Sequence, residues 1–435
     1  MPRSAPPNTP GAPSVVLGLR ANLPQFALLV VINMLVGGMV GVQRTIVPLI
    51  GEREFGLASV ALVGSFIAGF GLTKAAANLF AGPLADRFGR RRVLIAGWVV
   101  GLPVPVLIMW APYWEWVVAA NILLGVNQGL AWSMTVNMKI DLVGPRRRGL
   151  ALGLNEFAGY VAVGATAWAT GVIAARAGLR PEPLYLGVAY GVAGLLLSVA
   201  LVRDTGAHVA AESAAAGVGV GAPPMPRGRV FALATWGDRT LFGAAQAGFA
   251  SNLNDGVVWA MLPLLLAQRG LGLAQIGLVA GLYPLVWGLG QLATGALSDR
   301  IGRKPLVVGG MIVQGAALLV LGGAPEGAAT GGPADPASEL ARALTGAALL
   351  GLGTAMAYPT LLAAVGDVAA PAWRARALAV YRFWRDLGFV VGVVACGIVA
   401  DAAGLAWAVH AAGAATLLSG AVAWAVLRET RPRST

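Results

Sequence analysis

The chain is poor in the residues that build most protein chemistry. Of its 435 residues, one is cysteine and two are histidine. A lone Cys396 excludes an intrachain disulfide, and so few thiols and imidazoles exclude a Cys/His metal centre. Charge is equally scarce. Asp, Glu, Lys and Arg make up 11% of the chain, against roughly 25% in soluble globular domains. So few charges do not cover a soluble surface, but they suffice where most of the surface faces lipid. No nucleophile–base pair stands out, so neither an enzyme nor a cofactor is expected. The opening MPRSAPPNTPGAPS is proline-rich and lacks an apolar core. It reads as part of a disordered tail over residues 1–22 and not as a cleavable signal.

What the chain has in abundance is apolar length: 57% of it is hydrophobic. A membrane helix needs about 20 apolar residues to cross some 30 Å of hydrocarbon. Twelve such runs are legible, near 25–50, 58–82, 93–111, 116–142, 149–174, 184–203, 241–267, 273–297, 306–323, 341–366, 376–400 and 406–427. Inside lipid every backbone N–H and C=O needs an internal partner, so these runs must be helices. The alternation of a membrane barrel is absent. The fold class is therefore an all-α polytopic membrane protein of twelve transmembrane helices.

The excess of basic residues, +12 net, marks cytoplasmic loops and not a nucleic-acid partner. With both termini in the cytoplasm, inner loops and tails hold 21 of the 31 lysines and arginines. Outer loops hold only Arg53, Arg176, Arg180, Arg269 and Arg342. The expected setting is the cytoplasmic (inner) membrane. Two six-helix halves, 23–203 and 239–428, flank a low-complexity cytoplasmic linker at 204–238, and a short tail follows at 429–435. The outer loop 324–339 looks equally unstructured.

The chain also repeats itself. GPLADRFGRRRV at 82–93 returns as GALSDRIGRKPL at 295–306, each in the loop after the second span of its half. The alignment extends outward: RGLALGLNEFAGYVAVG (148–164) matches RALAVYRFWRDLGFVVG (376–392). Two parallel halves around a midplane site are a known transporter plan. The repeated loop has a fixed spacing: Gly82, Asp86, Arg87, Gly89, Arg90, Arg91, then Gly295, Asp299, Arg300, Gly302, Arg303, Lys304. In this the chain resembles the major facilitator superfamily. The resemblance implies a gate at these loops, with Asp86 facing the start of span 11 near Arg376 and Asp299 facing span 5 near Arg148. It also implies that spans 1, 4, 7 and 10 line the cavity. Spans 3, 6, 9 and 12 would face lipid, and these carry no charge in their apolar cores. Asn121 stands where proton-coupled drug exporters carry an arginine, and span 5 lacks their Gly-Pro pair.

A charge at mid-membrane costs on the order of 2.5–3.5 kcal/mol on insertion scales, so each buried one needs a partner or a wet cavity. The candidates for solute or ion contact are Asp255 with Asn252 and Asn254 on span 7, and Arg385 and Asp386 on span 11. Arg44, Lys74, Gln128, Asn137 and Glu156 complete the set. Arg382 is shallower, and Lys139 and Asp141 read as an interface pair. Tyr283, Trp287, Tyr358 and Trp384 read as packing or pocket aromatics. Glu156 either carries a proton or pairs with Lys74. The implied function is a monomeric secondary transporter of a small solute, leaning to an anion or zwitterion. Asp255, Glu156 and Asp386 are the candidates for proton coupling, with coupling to another ion or uniport left open. The alternatives are efflux of a drug or metabolite, or a receptor on the same fold.

Overall fold

A computed structural model of the chain describes residues 16–144, 148–215, 225–324, 335–370 and 373–431. Most of the expected N-terminal tail, the middle of the linker, most of the 324–339 loop and the end of the C-terminal tail lie outside the described residues. So does the side chain of Arg148.

Twelve long helices are present among the described residues. They are α1 (Leu23–Arg53), α2 (Val60–Phe88), α3 (Arg90–Met109), α4 (Trp114–Val143), α5 (Arg148–Ala177), α6 (Tyr185–Ala200), α7 (Arg239–Gln268), α8 (Leu273–Ile301), α9 (Arg303–Gly322), α10 (Pro336–Val368), α11 (Arg374–Ala403) and α12 (Leu405–Val426). Eleven of these segments are long and apolar enough to cross a membrane. The remaining one, α7, spans 30 residues and carries the polar stretch Ser251–Asp255. The helices outrun the apolar runs: α1 extends from Leu23 to Arg53 and α10 from Pro336 to Val368. Charged residues at their ends reach out of the hydrocarbon and do not stop a helix. The linker region carries short helices at Gly206–Ala215 and Arg227–Ala232.

Packing repeats with the sequence. Within the first half α1 lies on α5 and α6, α2 on α4, and α3 on α4 and α6. Within the second, α7 lies on α11 and α12, α8 on α10, and α9 on α10 and α12. Across the halves the principal contacts are α5 with α8 and α2 with α11, while α3, α6, α9 and α12 stay outside. These cross-contacts are close because small residues allow it. A Cβ on Gly164 would fall 2.5 Å from the Gly281 carbonyl oxygen, and one on Gly71 would fall 2.7 Å from the Phe389 Cβ.

The contact between halves covers only one end of the molecule. Every residue of α1 from Val36 to Gly51 is buried, whereas Leu23–Leu35 is buried only in part. Among the described residues the hydrogen bonds between α2 and α11 run from Ser59–Asp401 at the far end inward to Asn78–Asp386, whereas Asp86 and Asp299 at the other end, which carries the repeated loops, remain 78% and 68% exposed. The halves are therefore closed at the far end and parted at the loop end.

Candidate functional site

A cavity lies between the halves at mid-depth. Its polar walls are Lys74 and Asn78 on α2, Gln128 and Ser133 on α4, and Glu156 on α5. On the opposite side stand Arg382, Arg385 and Asp386 on α11. Trp132, Tyr160 and Tyr358 supply aromatic faces, and Val40, Phe70, Val163 and Trp259 close the far end. On α4, a π-helical turn at Gln128–Trp132 adds a residue to the usual turn and re-aims the side chains around it. Gln128, Trp132 and Ser133 all reach the cavity there.

Two polar chains cross it. In the first, Asp386 joins the halves: it lies 3.6 Å from the Lys74 ammonium and accepts from Asn78 Nδ2 (2.6 Å) and Asn252 Nδ2 (3.2 Å). In the second, Arg385 donates through Nε to Asn252 Oδ1 (3.0 Å) and through Nη2 to the Tyr160 hydroxyl (3.4 Å), and its guanidinium lies over the Tyr358 ring. Tyr358 in turn donates to Glu156 Oε2 (3.2 Å), whose other oxygen accepts from Trp132 Nε1 (2.9 Å) and Asn155 Nδ2 (3.1 Å). Among the described residues neither Arg385 nor Glu156 forms an ion pair. Both are buried in the folded chain, and their hydrogen-bond partners are neutral.

Five of the sequence candidates therefore meet at the cavity: Lys74, Gln128, Glu156, Arg385 and Asp386. Asn252 stands directly behind it, holding Arg385 and Asp386. The pairing differs from one expectation. Lys74 takes Asp386 and not Glu156, because α2 faces α11 across the halves while Glu156 belongs to the α4–α5 side.

The other candidates lie elsewhere. Arg44 stacks on Trp259, 3.7 Å from the ring centre, and 5.2 Å from that of Phe70. Those two rings line the cavity, and Arg44 does not. Among the described residues its Nε and Nη2 have no hydrogen-bond partner. Asp255 is fully enclosed and accepts from the Tyr283 hydroxyl through Oδ1, and its Oδ2 has no hydrogen-bond partner among the described residues. Asn254 faces away, bonding Gln314 of α9 and Thr416 of α12. Asn137 is half-buried and outside the cavity wall. Lys139 donates to the Leu29 carbonyl (3.2 Å).

Sequence reading missed Asn78 and Tyr160. The signal was present: each lies one helical turn, i+4, from a recognised charge, Lys74 and Glu156, and so shares its face.

The repeated loops build a second, duplicated constellation. In the first half Asp86 lies 4.0 Å from Arg90, Arg90 lies 2.5 Å from Asp141, and Thr205 donates to Asp141 (2.6 Å). In the second half Asp299 lies 2.7 Å from Arg303, Arg303 lies 3.2 Å from Asp367, and Thr430 donates to Asp367 (3.1 Å). A carboxylate just past the last helix of each half caps the helix that starts at the loop. Asp204 accepts from the Arg91 N–H (2.9 Å), and Glu429 accepts from those of Arg303 (2.8 Å) and Lys304 (3.2 Å). Burial would push the Glu429 carboxyl up, but the N–H groups of Arg303, Arg431, Lys304 and Thr430 outweigh it and hold it below its usual value. Gly89 (φ +87°) and Gly302 (φ +108°) make the turns, and a Cβ on either would meet the capping carboxylate.

Arg87 and Arg300 stand exposed, and Gly82 and Gly295 face open space. Asp86 and Asp299 remain 78% and 68% exposed. Each is paired within its own half, and Arg376 donates instead to the Met225 carbonyl (2.7 Å). Among the described residues the contact expected between Asp86 and α11 is not made, and the one expected between Asp299 and Arg148 lies outside the described residues.

Known proteins place this architecture. Residues 28–249 and 244–435 match the Major Facilitator Superfamily sequence profile. The inner membrane transport protein YajR of Escherichia coli K12 is 38% identical over 91 residues, 20% of this chain and 18% of that protein. A probable 4-methylmuconolactone transporter of Cupriavidus pinatubonensis is 27% identical over 261 residues, 58% of this chain and 55% of that one. The match thus spans about half or less of the length of these two relatives. An uncharacterized MFS-type transporter of Salmonella typhimurium, STM4428, is 24% identical over 414 residues, 90% of this chain and 93% of that one. The crystal structure of the nucleoside transporter NupG superposes with a TM-score of 0.71 at 12% identity, covering 93% of this chain and 99% of that one. At that identity the likeness concerns the fold alone. With matched segments that together run from residue 28 to residue 435, the chain belongs to the major facilitator superfamily.

Proposed function

We propose that the solute this secondary transporter moves across the bilayer is a small organic anion or zwitterion, bound by Arg385. The observation that carries the reading is that Arg385 lines the cavity and, among the described residues, hydrogen-bonds only to neutral groups, Asn252 and Tyr160. A guanidinium hydrogen-bonded only to amide and phenol, with an aromatic face beneath it, has donors left for a carboxylate, which it grips in two parallel bonds. Trp132, Tyr160 and Tyr358 would hold a flat or apolar body beside it. The relative described as a probable 4-methylmuconolactone transporter supports the reading.

Glu156 is the proposed proton site. Among the described residues it is the cavity carboxylate that forms no ion pair, and Tyr358, whose ring lies under the Arg385 guanidinium, donates to it. The repeated loops are assigned to the cytoplasmic side of the inner membrane from their basic residues. The parted state described above is then inward-facing, and the contacts of Asp86 and Asp299 with the opposite half form when that side closes. A monomer suffices, since one chain encloses the cavity.

The test is a thermal-stability screen of purified protein against matched carboxylates, amines and neutral analogues of small aromatic and aliphatic skeletons. Carboxylates should stabilise the wild type and lose that effect in Arg385→Gln. Stabilisation by amines alone would overturn the reading.

A further inference from the structure

The far end of the molecule is held by a contact that neither the repeat nor the cavity explains. Asp401, near the C-terminal end of α11, reaches across to the first turn of α2 in the other half. Its carboxylate accepts from Ser59 Oγ (2.6 Å), from the Val60 N–H (2.5 Å) and from the Ala61 N–H (3.4 Å). Ser59 is the N-cap of α2, and its hydroxyl oxygen also accepts from the Leu62 N–H. The first N–H groups of a helix have no partner within it, and the helix dipole favours an anion there. Here the anion comes from the opposite half, 342 residues away.

We propose that Asp401 is the far-side latch of the transport cycle, holding the state that is open at the loop end. The same two antiparallel helices explain how. α2 starts at the far end, where Asp401 of α11 caps it, and α11 starts at the loop end, beyond Asp86 of α2. Each helix thus carries a carboxylate near its C-terminal end that fits the N-terminus of the other. Rocking that closes the loop end must part the far end, drawing Ser59 and Val60 away from Asp401. Only one of the two caps can be made at a time.

Small residues hold this seam tightly. Gly397 packs on Ala61, and Gly64 on Val393, so α2 and α11 run in contact from Asp401 inward to the Lys74–Asp386 pair. The other seam is built differently. α5 and α8 meet through Gly171 and Gly277, and the first turn of α8 is closed by its own Gln275, which accepts from the Gly272 N–H. Among the described residues the far-side anion cap therefore belongs to the α2–α11 seam alone.

The proposal rests on the alternating-access reading, but its test needs no solute. Spin labels at Arg92→Cys and Arg374→Cys, in a Cys396→Ser background, report the separation of the halves at the loop end by pulsed electron resonance. Asp401→Ala should raise the ratio of loop-closed to loop-open molecules roughly two- to fivefold, the scale of an exposed charge lost from a helix terminus. Ser59→Asp separates latching from helix capping: aspartate still caps α2 but repels Asp401, so it should shift the distribution the same way. A variant that keeps the wild-type distance distribution while remaining monodisperse overturns the latch. If Asp401→Ala shifts the distribution and Ser59→Asp does not, Asp401 only stabilises α2, and the latch is likewise overturned. Both shifts together establish it, whatever the solute proves to be.

Discussion

Replacing Asp386 with leucine removes the carboxylate that, among the described residues, ties α2, α7 and α11 together. The change leaves the Lys74 ammonium without its counterion and frees the amides of Asn78 and Asn252. Breaking a buried ion pair from one side costs about 3–5 kcal/mol. Lys74 keeps 18% of its side-chain exposure and can recover some solvation from the cavity, so the lower end, about 3 kcal/mol, is expected. Lys74→Met is milder. It leaves Asp386 with two amide donors and should cost about 1–2 kcal/mol. The double variant should then be less unstable than the sum of the singles by about 1–2 kcal/mol, the range seen for residues in direct contact. Unfolding in mixed micelles, followed by tryptophan fluorescence across the four proteins, measures this directly. Additivity within about 0.5 kcal/mol would show that the pair does not hold the seam and would refute the reasoning.

The caps at the loop end make two further predictions. Gly302→Ala forces a side chain into a left-handed backbone conformation and against Glu429, so it should lower thermal stability more than Gly295→Ala, whose Cβ meets open space. Because the folded chain holds the Glu429 carboxyl below its usual value, its contribution is fully present above the ordinary glutamate range of about 4.3. It is lost as pH falls through the lower folded value. Glu429→Gln should therefore be less stable than wild type at neutral pH, and the two melting temperatures should converge on acidification. A gap that persists unchanged in acid would contradict that assignment.

Much of this arrangement was legible in the sequence because lipid leaves few choices. Apolar length specified twelve helices, the repeated loop specified two halves, and scarce mid-membrane charges pointed at the interior. The rotation of each helix about its axis was not legible. A span that is apolar nearly all round carries no stripe to say which face turns inward. Asp255 and Arg44 therefore read as cavity residues, yet the packing of Trp259 and Phe70 walls off Arg44, and Asp255 is enclosed beside Tyr283. Pairings were hidden for the same reason: Lys74 meets Asp386 because α2 lies on α11, a contact between residues 312 apart in number that no local pattern encodes. One signal was present and unused. Arg203-Asp204-Thr205 and Arg428-Glu429-Thr430 follow the last helix of each half, and the structure places both triplets at equivalent posts beside the repeated loops.

The central claim is that Arg385 takes the charged group of a small organic anion at the cavity and that the halves rock around it. Counterflow in proteoliposomes tests it most directly, with an unlabelled carboxylate inside and a trace of the labelled one outside, chosen from those that stabilise the purified protein. The account predicts time-dependent accumulation in the wild type, a loss of at least tenfold in Arg385→Gln and partial recovery in Arg385→Lys. Counterflow by Arg385→Gln at the wild-type rate would contradict it.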